Sequence, residues 1–213
     1  MIIKNIIFDF GGVLMDWNPK YLYQNVFSTD EEMNYFLDHI ATLKWNAEQD
    51  RGRSFQEATE ILQNQYPEFS KEIALYYSQW PVMLKGAIEE NVNILRNLHG
   101  RYQLYGLTNW SAESFPYAYK NYDFFSLFNG IIVSGEEKLI KPDERIYELL
   151  LNRYNLNASE CLFIDDNYEN IRTAQAMDFN TIHLTPETIL REELQNSTYK
   201  IKWIIQINNP LFF

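Results

Sequence analysis

The chain reads as an α/β protein, a doubly wound parallel sheet with an α-helical unit inserted after its first strand. Three observations predict this. From residue 87 onward short β-branched segments alternate with helical patterns, which implies a parallel sheet with helices on both faces. One further strand-like segment, 2–8, stands alone ahead of residues 17–85, where no strand pattern is found. The length of 213 residues, at about 150 residues per domain, suits one large domain or one domain carrying an insertion.

The elements follow in order. Residues 2–8 (Ile-Ile-Lys-Asn-Ile-Ile-Phe) predict a buried strand that stops at Asp9, followed by a Gly11-Gly12 turn where backbone approaches something closely. Segments 30–44 and 54–64 have helical spacing, in Met33, Phe36, Leu37, Ile40 and in Phe55, Ala58, Ile61, Leu62. Between them lies the break Asp50-Arg51-Gly52-Arg53-Ser54, and Ser54 with Glu57 is a capping-box signature. A helix over 87–98 ends near Gly100, and a strand over 102–107 leads to Thr108. Strand 130–133 leads to a loop ending at Lys141-Pro142, then helix 143–154. Strand 161–164 runs into Asp165-Asp166, followed by helix 168–177 and strand 180–184. The first strand is expected to join this sheet, so that 1–15 and 87–213 form the core and 16–86 the helical insertion.

Composition narrows the function. A hydrophobic fraction of 46% with 22% charged residues is that of an ordinary globular chain and excludes wholesale disorder. The 15 Tyr, 14 Phe and 5 Trp supply ample material for a core or for pocket walls. A net charge of −11 argues against nucleic acid or an anionic membrane as a broad partner. The single cysteine, Cys161, excludes an internal disulfide and a multi-cysteine zinc site, and fits a reducing compartment. The N-terminus lacks a signal peptide's apolar region, and no apolar run approaches the roughly 18 residues of a membrane helix. A cytoplasmic location is the simplest expectation.

The chemistry gathers at strand ends. Ligands of open parallel sheets bind beyond the carboxyl ends of the strands, and Asp9, Thr108 and Asp165-Asp166 all stand where a predicted strand stops, with Lys141 in the loop after another. Taken singly each has an ordinary explanation: a turn residue, a strand-end cap, a helix N-terminus, a lysine before proline. Together they make a coherent site. Converging carboxylates repel unless a cation sits among them, and an oxygen-only cluster suits a hard ion such as Mg²⁺. A hydroxyl, backbone N–H groups and one lysine at the same edge suit a phosphoryl group. The combination points to metal-assisted phosphoryl transfer with a carboxylate nucleophile.

Phe8-Asp9-Phe10-Gly11-Gly12-Val13-Leu14, Leu107-Thr108-Asn109, Lys141-Pro142 and Phe163-Ile164-Asp165-Asp166-Asn167 resemble, in order, the four motifs of the haloacid dehalogenase superfamily. The resemblance runs over roughly residues 3–185, with the helical insertion where that superfamily carries its cap domain, and implies a Rossmann-like core. The wording is similar to a sugar-phosphatase-like branch that includes α-D-glucose-1-phosphate phosphatase, and residues 50–54 resemble that branch's cap segment. The resemblance implies that Asp9 attacks phosphorus and forms an aspartyl-phosphate. It implies Mg²⁺ held by Asp9, Asp166 and the Gly11 carbonyl, with Asp165 a direct or water-mediated ligand. Thr108, the Asn109 backbone N–H and Lys141 would bind the phosphoryl group.

One departure stands out. Most phosphatases of the superfamily carry an acid/base Asp two residues after the nucleophile, where this chain has Gly11. Loss of a general acid typically costs about 10²–10⁴ in rate and hurts least with a good leaving group. A sugar-1-phosphate or an acyl phosphate is therefore expected ahead of a sugar-6-phosphate, and Asp16, Glu48 and Asp50 are the carboxylates that a closing cap could supply instead. Trp17 and Trp110, which directly follow motif residues, and Trp45 are expected in the substrate pocket. Trp80, Cys161 and the three histidines read as structural or surface residues.

The expected function is thus a Mg²⁺-dependent phosphatase of a small phosphorylated metabolite, monomeric or homodimeric. Two alternatives stay open: a metal-free 2-haloacid dehalogenase, against which Asp165-Asp166 argues, and a phosphate-binding protein that has lost catalysis with the acid. The segment from Trp203 to Phe213 extends past the resemblance, and the sequence leaves open whether it packs on the core or at a dimer contact.

Overall fold

The computed structural model describes residues 2–196, so the segment from Trp203 onward lies outside the described residues. Among the described residues the strands are β1 (Asn5–Phe8), β2 (Met15–Trp17), β3 (Leu84–Ala87), β4 (Gln103–Thr108), β5 (Gly130–Val133), β6 (Cys161–Asp165) and β7 (Asn180–His183). Five of them form one sheet in the order β5-β4-β1-β6-β7, every pair parallel. The chain builds outward from β1 to β4 and β5, then returns to lay β6 and β7 on the other side. That reversal at β1 opens a crevice at the carboxyl edge of the sheet.

The β-branched run of β1 is buried on both faces. Ile6 and Phe8 join one apolar core with Leu104, Leu162 and Ile164, while Ile7 joins a second with Tyr105, Leu107 and Phe163. The two-residue alternation of a strand deals successive side chains to opposite faces. Helix Glu89–Leu98 covers the first face through Val92, Leu95 and Leu98; helices Glu144–Tyr154 and Tyr168–Ala176 cover the second through Ile146, Leu150, Ile171 and Ala174. The α/β class read from the sequence is the observed one.

Apart from shifts of one or two residues at other element ends, three differences from the expected elements stand out. β1 begins at Asn5, not residue 2, and Ile2 is exposed. The helical pattern over 30–44 is two helices, Asp30–His39 and Leu43–Asp50, because the Thr42 hydroxyl accepts the Trp45 N–H at 3.1 Å and starts a new helix. The margins of the stretch read as free of strand hold a two-stranded antiparallel ribbon, Met15↔Ala87 and Asp16↔Gly86, irregular between Asp16 and Trp17. Strands of three and four residues are too short to display an alternation, and their pairing spans some seventy intervening residues that no local pattern bridges.

The helical segment between β2 and β3 also includes helices Phe55–Gln65 and Ser70–Ser78. The Ser54 hydroxyl accepts the Glu57 N–H at 3.2 Å, as its spacing suggests. The turn between Asp50 and Phe55 rests on the sheet edge. Ser134 Oγ donates to the Asp50 carbonyl at 2.5 Å, and the Phe55 N–H donates to the Glu113 carboxylate at 2.8 Å. No helix among the described residues is long and apolar enough to cross a membrane.

Phe10, fully buried, steers the chain immediately after Asp9. Its ring meets Phe125 edge-on at 5.0 Å and Phe128 at 5.3 Å, and lies directly over Gly106 of β4. A Cβ at position 106 would overlap that ring. Gly106→Ala is expected to destabilise the fold by about 1–3 kcal/mol, the usual cost of overpacking a core, measured as a lower denaturant midpoint. An unchanged midpoint would show that Phe10 can move aside freely.

Candidate active site

At the crevice, Asp9 follows β1, Thr108 ends β4 and Asp165 ends β6. Asp9 is fixed by its N–H, which donates to the Ile164 carbonyl at 2.9 Å and extends the β1–β6 pairing by one residue. Lys141 arrives from the loop after β5, and its peptide bond to Pro142 is cis. Asn109 holds that loop: its Nδ2 donates to the Lys141 carbonyl at 3.0 Å and its Oδ1 accepts the Lys141 N–H at 2.9 Å.

The Lys141 ammonium is enclosed between two carboxylates, 2.6 Å from Asp165 Oδ2 and 3.0 Å from Asp9 Oδ1. Burial opposes its charge, but Asp165 and Asp9 outweigh burial and raise its pKa above the ordinary value. Asp165 is saturated. Oδ2 takes Lys141, Oδ1 accepts the Asn167 N–H at 2.8 Å, and Asn170 Nδ2 bridges both oxygens at 3.0 and 3.1 Å. Asp9 is not saturated. Its Oδ1 lies beside Lys141 but off the direction of a hydrogen bond and, though buried, accepts none. Burial pushes the Asp9 carboxyl up to about 7; Lys141 pulls it back, and the charges of Asp165 and Asp166 add to the rise.

Asp166 completes an acidic trio in which one oxygen from each of Asp9, Asp165 and Asp166 lies within 4.8 Å of the others. Burial and the Asp165 charge raise its pKa too. Its carboxylate fills the volume that a side chain at Gly12 would need, and Gly12 holds a φ of +69°. This is the close approach that the Gly11-Gly12 pair predicts. The donor set fits a hard divalent cation: three carboxylates lie within reach of one another, burial first and then neighbouring carboxylate charge raise the pKa values of Asp9 and Asp166, and the Asp9 oxygen beside Lys141 accepts no hydrogen bond. Both Asp165 oxygens already accept hydrogen bonds within the protein, one of them from Lys141.

Above the edge lies a cavity of about 90 Å³ bounded by Gly11, Met15, Trp17 and Asn109 with Trp110, Ser111 and Ser114 from the core side, and by Asn46, Asp50, Phe55, Tyr77 and Trp80 from the helical segment. Trp17 and Trp110 line it. Trp45, expected there, instead packs behind the wall against Tyr76 and Tyr77 at 5.0 and 5.3 Å. Phe55 stacks on Tyr77 at 3.9 Å between centroids. Sequence reasoning missed Phe55, Tyr77 and Trp80, which carry no motif; the one local signal was the break at residues 50–54, which lands on the cavity rim.

The lysine is the counterweight to two buried carboxylates, and removing one partner of a buried pair costs about 3–5 kcal/mol. Lys141→Met is expected to lose stability of that order at pH 8. It should lose less at pH 5–6, where Asp9, with its raised pKa, takes up a proton and sheds its charge. Denaturant midpoints across this range test it; a loss independent of pH would contradict the electrostatic account.

Comparison with known proteins agrees with this geometry. The chain is 30% identical over 194 residues to the sesquiterpene phosphatase astK of Aspergillus oryzae, covering 90% of this chain and 95% of that protein. Among solved structures, the HAD family enzyme bt-2542 of Bacteroides thetaiotaomicron, in a magnesium complex, superposes with a TM-score of 0.74 at 19% identity, over 92% of this chain and all of that one. The L-2-haloacid dehalogenase of Xanthobacter autotrophicus superposes with a TM-score of 0.61 at 16% identity, over 92% of this chain and 84% of that one. The family described as haloacid dehalogenase-like hydrolase matches residues 3–178, a span that runs from β1 past β6 and takes in all four strand-end motifs; the chain belongs to that family.

Proposed function

We propose that this hydrolase is a Mg²⁺-dependent phosphatase of a small phosphorylated metabolite, acting through an aspartyl-phosphate on Asp9. The observation that carries the reading is the gathering of Asp9, Asp165 and Asp166 at the carboxyl edge of the sheet, with the Lys141 ammonium 3.0 Å from Asp9. A carboxylate can attack phosphorus and carry the phosphoryl group, and the adjacent ammonium offsets the repulsion between it and an incoming phosphoryl dianion. The astK relative, named as a phosphatase, supports the same reading.

Asp9, Asp166 and the Gly11 carbonyl would hold the Mg²⁺, with Asp165 behind them on Lys141. When bound, the ion supplies charge neutralisation and polarisation at the phosphoryl oxygens. The Thr108 hydroxyl and the Asn109 N–H, at the end of β4, would bind the remaining oxygens, Asn109 having spent its side chain on the Lys141 loop. Residues 16–86 would act as the cap. A second, larger opening of about 500 Å³ lies against Gly12, Asp16, Trp17 and Asp166, and movement of the segment over the edge would exclude water from the site.

The cavity walls bear on the substrate. Met15, Trp17, Phe55, Tyr77, Trp80 and Trp110 present mostly apolar and aromatic surface, which suits an ester whose carbon skeleton is apolar next to the phosphate. The name of the sesquiterpene phosphatase relative is in keeping with that class. A sugar-1-phosphate is the second reading, favoured by Asn46, Asp50 and Ser111 as hydroxyl partners in the same walls. A panel of prenyl phosphates, sugar-1-phosphates, sugar-6-phosphates and acyl phosphates, assayed for phosphate release with Mg²⁺, separates them. Asp9→Asn is expected to abolish release on every substrate, while release that survives the substitution would refute Asp9 as nucleophile.

The cation and protons compete for the same oxygens. In the ion-free protein the Asp9 pKa lies above its unfolded value of 3.8, so the folded state binds more protons and stability falls as pH rises through about 4 to 7. Mg²⁺ binding must release those protons, so the thermal shift on adding Mg²⁺ is expected to be larger at pH 8 than at pH 6. Gly12→Ala, by displacing the Asp166 carboxylate, is expected to diminish that shift at both pH values. Equal shifts at the two pH values would place the ion elsewhere.

A further inference from the structure

Cleaving the phosphate ester of an ordinary alcohol expels an oxygen that needs a proton as it leaves. Asp9 is the attacking group, and Lys141 and Asp165 are tied to each other at its flank. Position 11 has no side chain, although a Cβ there would enter open space and Gly11 borders the cavity. The proton has to come from another element.

Of the three carboxylates that the sequence singles out, Asp16, Glu48 and Asp50, two already have charged partners. Asp16 accepts the Tyr21 hydroxyl at 2.9 and 3.0 Å and lies 3.7 Å from Lys85 Nζ across the β2–β3 ribbon. Glu48 is half-exposed at the surface, 3.9 Å from Arg51. Asp50 alone of the three lines the same cavity as Gly11 and Asn109. Among the described residues no cation pairs with it, and its carboxylate accepts one side-chain hydrogen bond, from Asn46 Nδ2 at 3.3 Å. Its backbone is pinned to the core by the Ser134 hydroxyl, so its position depends on the helical segment being seated over the sheet edge. Nearby, the Tyr76 hydroxyl is buried without a partner and feels the Asp50 charge.

We propose that Asp50, resting on the phosphatase reading above, is the catalytic acid and base that the backbone at position 11 cannot supply. Burial pushes its carboxyl up to about 7, eased by the Ser111 N–H, so it holds a proton near neutral pH and can part with it. In the first step the Asp9 carboxylate bonds to phosphorus, the bond from phosphorus to the alcohol oxygen breaks, and that oxygen takes the Asp50 proton. In the second, a water oxygen bonds to the same phosphorus and gives its proton to the Asp50 carboxylate. The bond from phosphorus to Asp9 then breaks, releasing inorganic phosphate and restoring both side chains. With this residue in place, Gly11 no longer confines the enzyme to good leaving groups, and the acid is present only when the insertion is closed.

The test measures kcat/KM with Mg²⁺ for wild type, Asp50→Asn and Asp50→Asn/Gly11→Asp on two esters, p-nitrophenyl phosphate and hexyl phosphate. Nitrophenolate departs without a proton and hexyl alkoxide does not. Asp50→Asn is expected to lose about 10²–10⁴-fold on hexyl phosphate and far less on the nitrophenyl ester, whose retained turnover also reports an intact fold. Gly11→Asp, placed in the open space, is expected to restore part of the lost alkyl activity. Equal losses on both esters, or no loss on either, would overturn the proposal. A wild type inactive on both esters while still binding inorganic phosphate would overturn the phosphatase reading itself, an outcome distinct from a selective failure of Asp50.

Discussion

The ammonium of Lys141, wholly enclosed between Asp9 and Asp165, is the interaction on which the site depends. Each of these three charges would be costly if buried alone, and they come from the ends of β1 and β6 and from the loop after β5. They meet only if the strand order and register are right. The surrounding amides divide the burden unequally. Asn170 and the Asn167 N–H satisfy Asp165, Asn109 fixes the lysine's backbone, and the buried Asp9 oxygen has the lysine's charge 3.0 Å away but no hydrogen bond of its own. A fully bonded partner on one side and an under-bonded one on the other tie the lysine more firmly to Asp165 than to Asp9.

Close contacts carry that arrangement into the backbone. Gly106 lets Phe10 settle into an aromatic cluster, which sets the direction of the chain leaving Asp9, and Gly12 turns with positive φ so that the Asp166 carboxylate can lie against it. Neither contact tolerates a Cβ. The two pieces of the chain that bound the cavity meet through polar links that include the Ser134–Asp50 and Phe55–Glu113 hydrogen bonds and the Ser111 N–H to the Asp50 carboxyl. Apolar packing joins the two pieces as well, since Tyr76 and Trp80 share one core with Phe10, Trp110 and Phe115.

The aromatic wall adds a dielectric consequence. Trp17, Trp80 and Trp110 screen the crevice from water, and a low-dielectric enclosure strengthens every charge interaction inside it. The raised pKa values of Asp9, Asp50 and Asp166 share that origin, burial being the largest cause at each.

The sequence by itself determined the fold class, the strand ends that carry Asp9, Thr108 and Asp165-Asp166, and the family, because these depend on local alternation and on short motifs that occupy consecutive residues. The β-branched run of β1 and the Gly11-Gly12 turn state their roles within a dozen positions. Only the tertiary structure decided the ribbon of β2 with β3, the wall of Phe55, Tyr77 and Trp80, the withdrawal of Trp45 behind it, and the choice of Asp50 over Asp16 and Glu48. Those facts rest on which surfaces meet across long stretches of chain. A carboxylate in a helical insertion looks the same in sequence whether it faces water or a cavity, and only packing decides which.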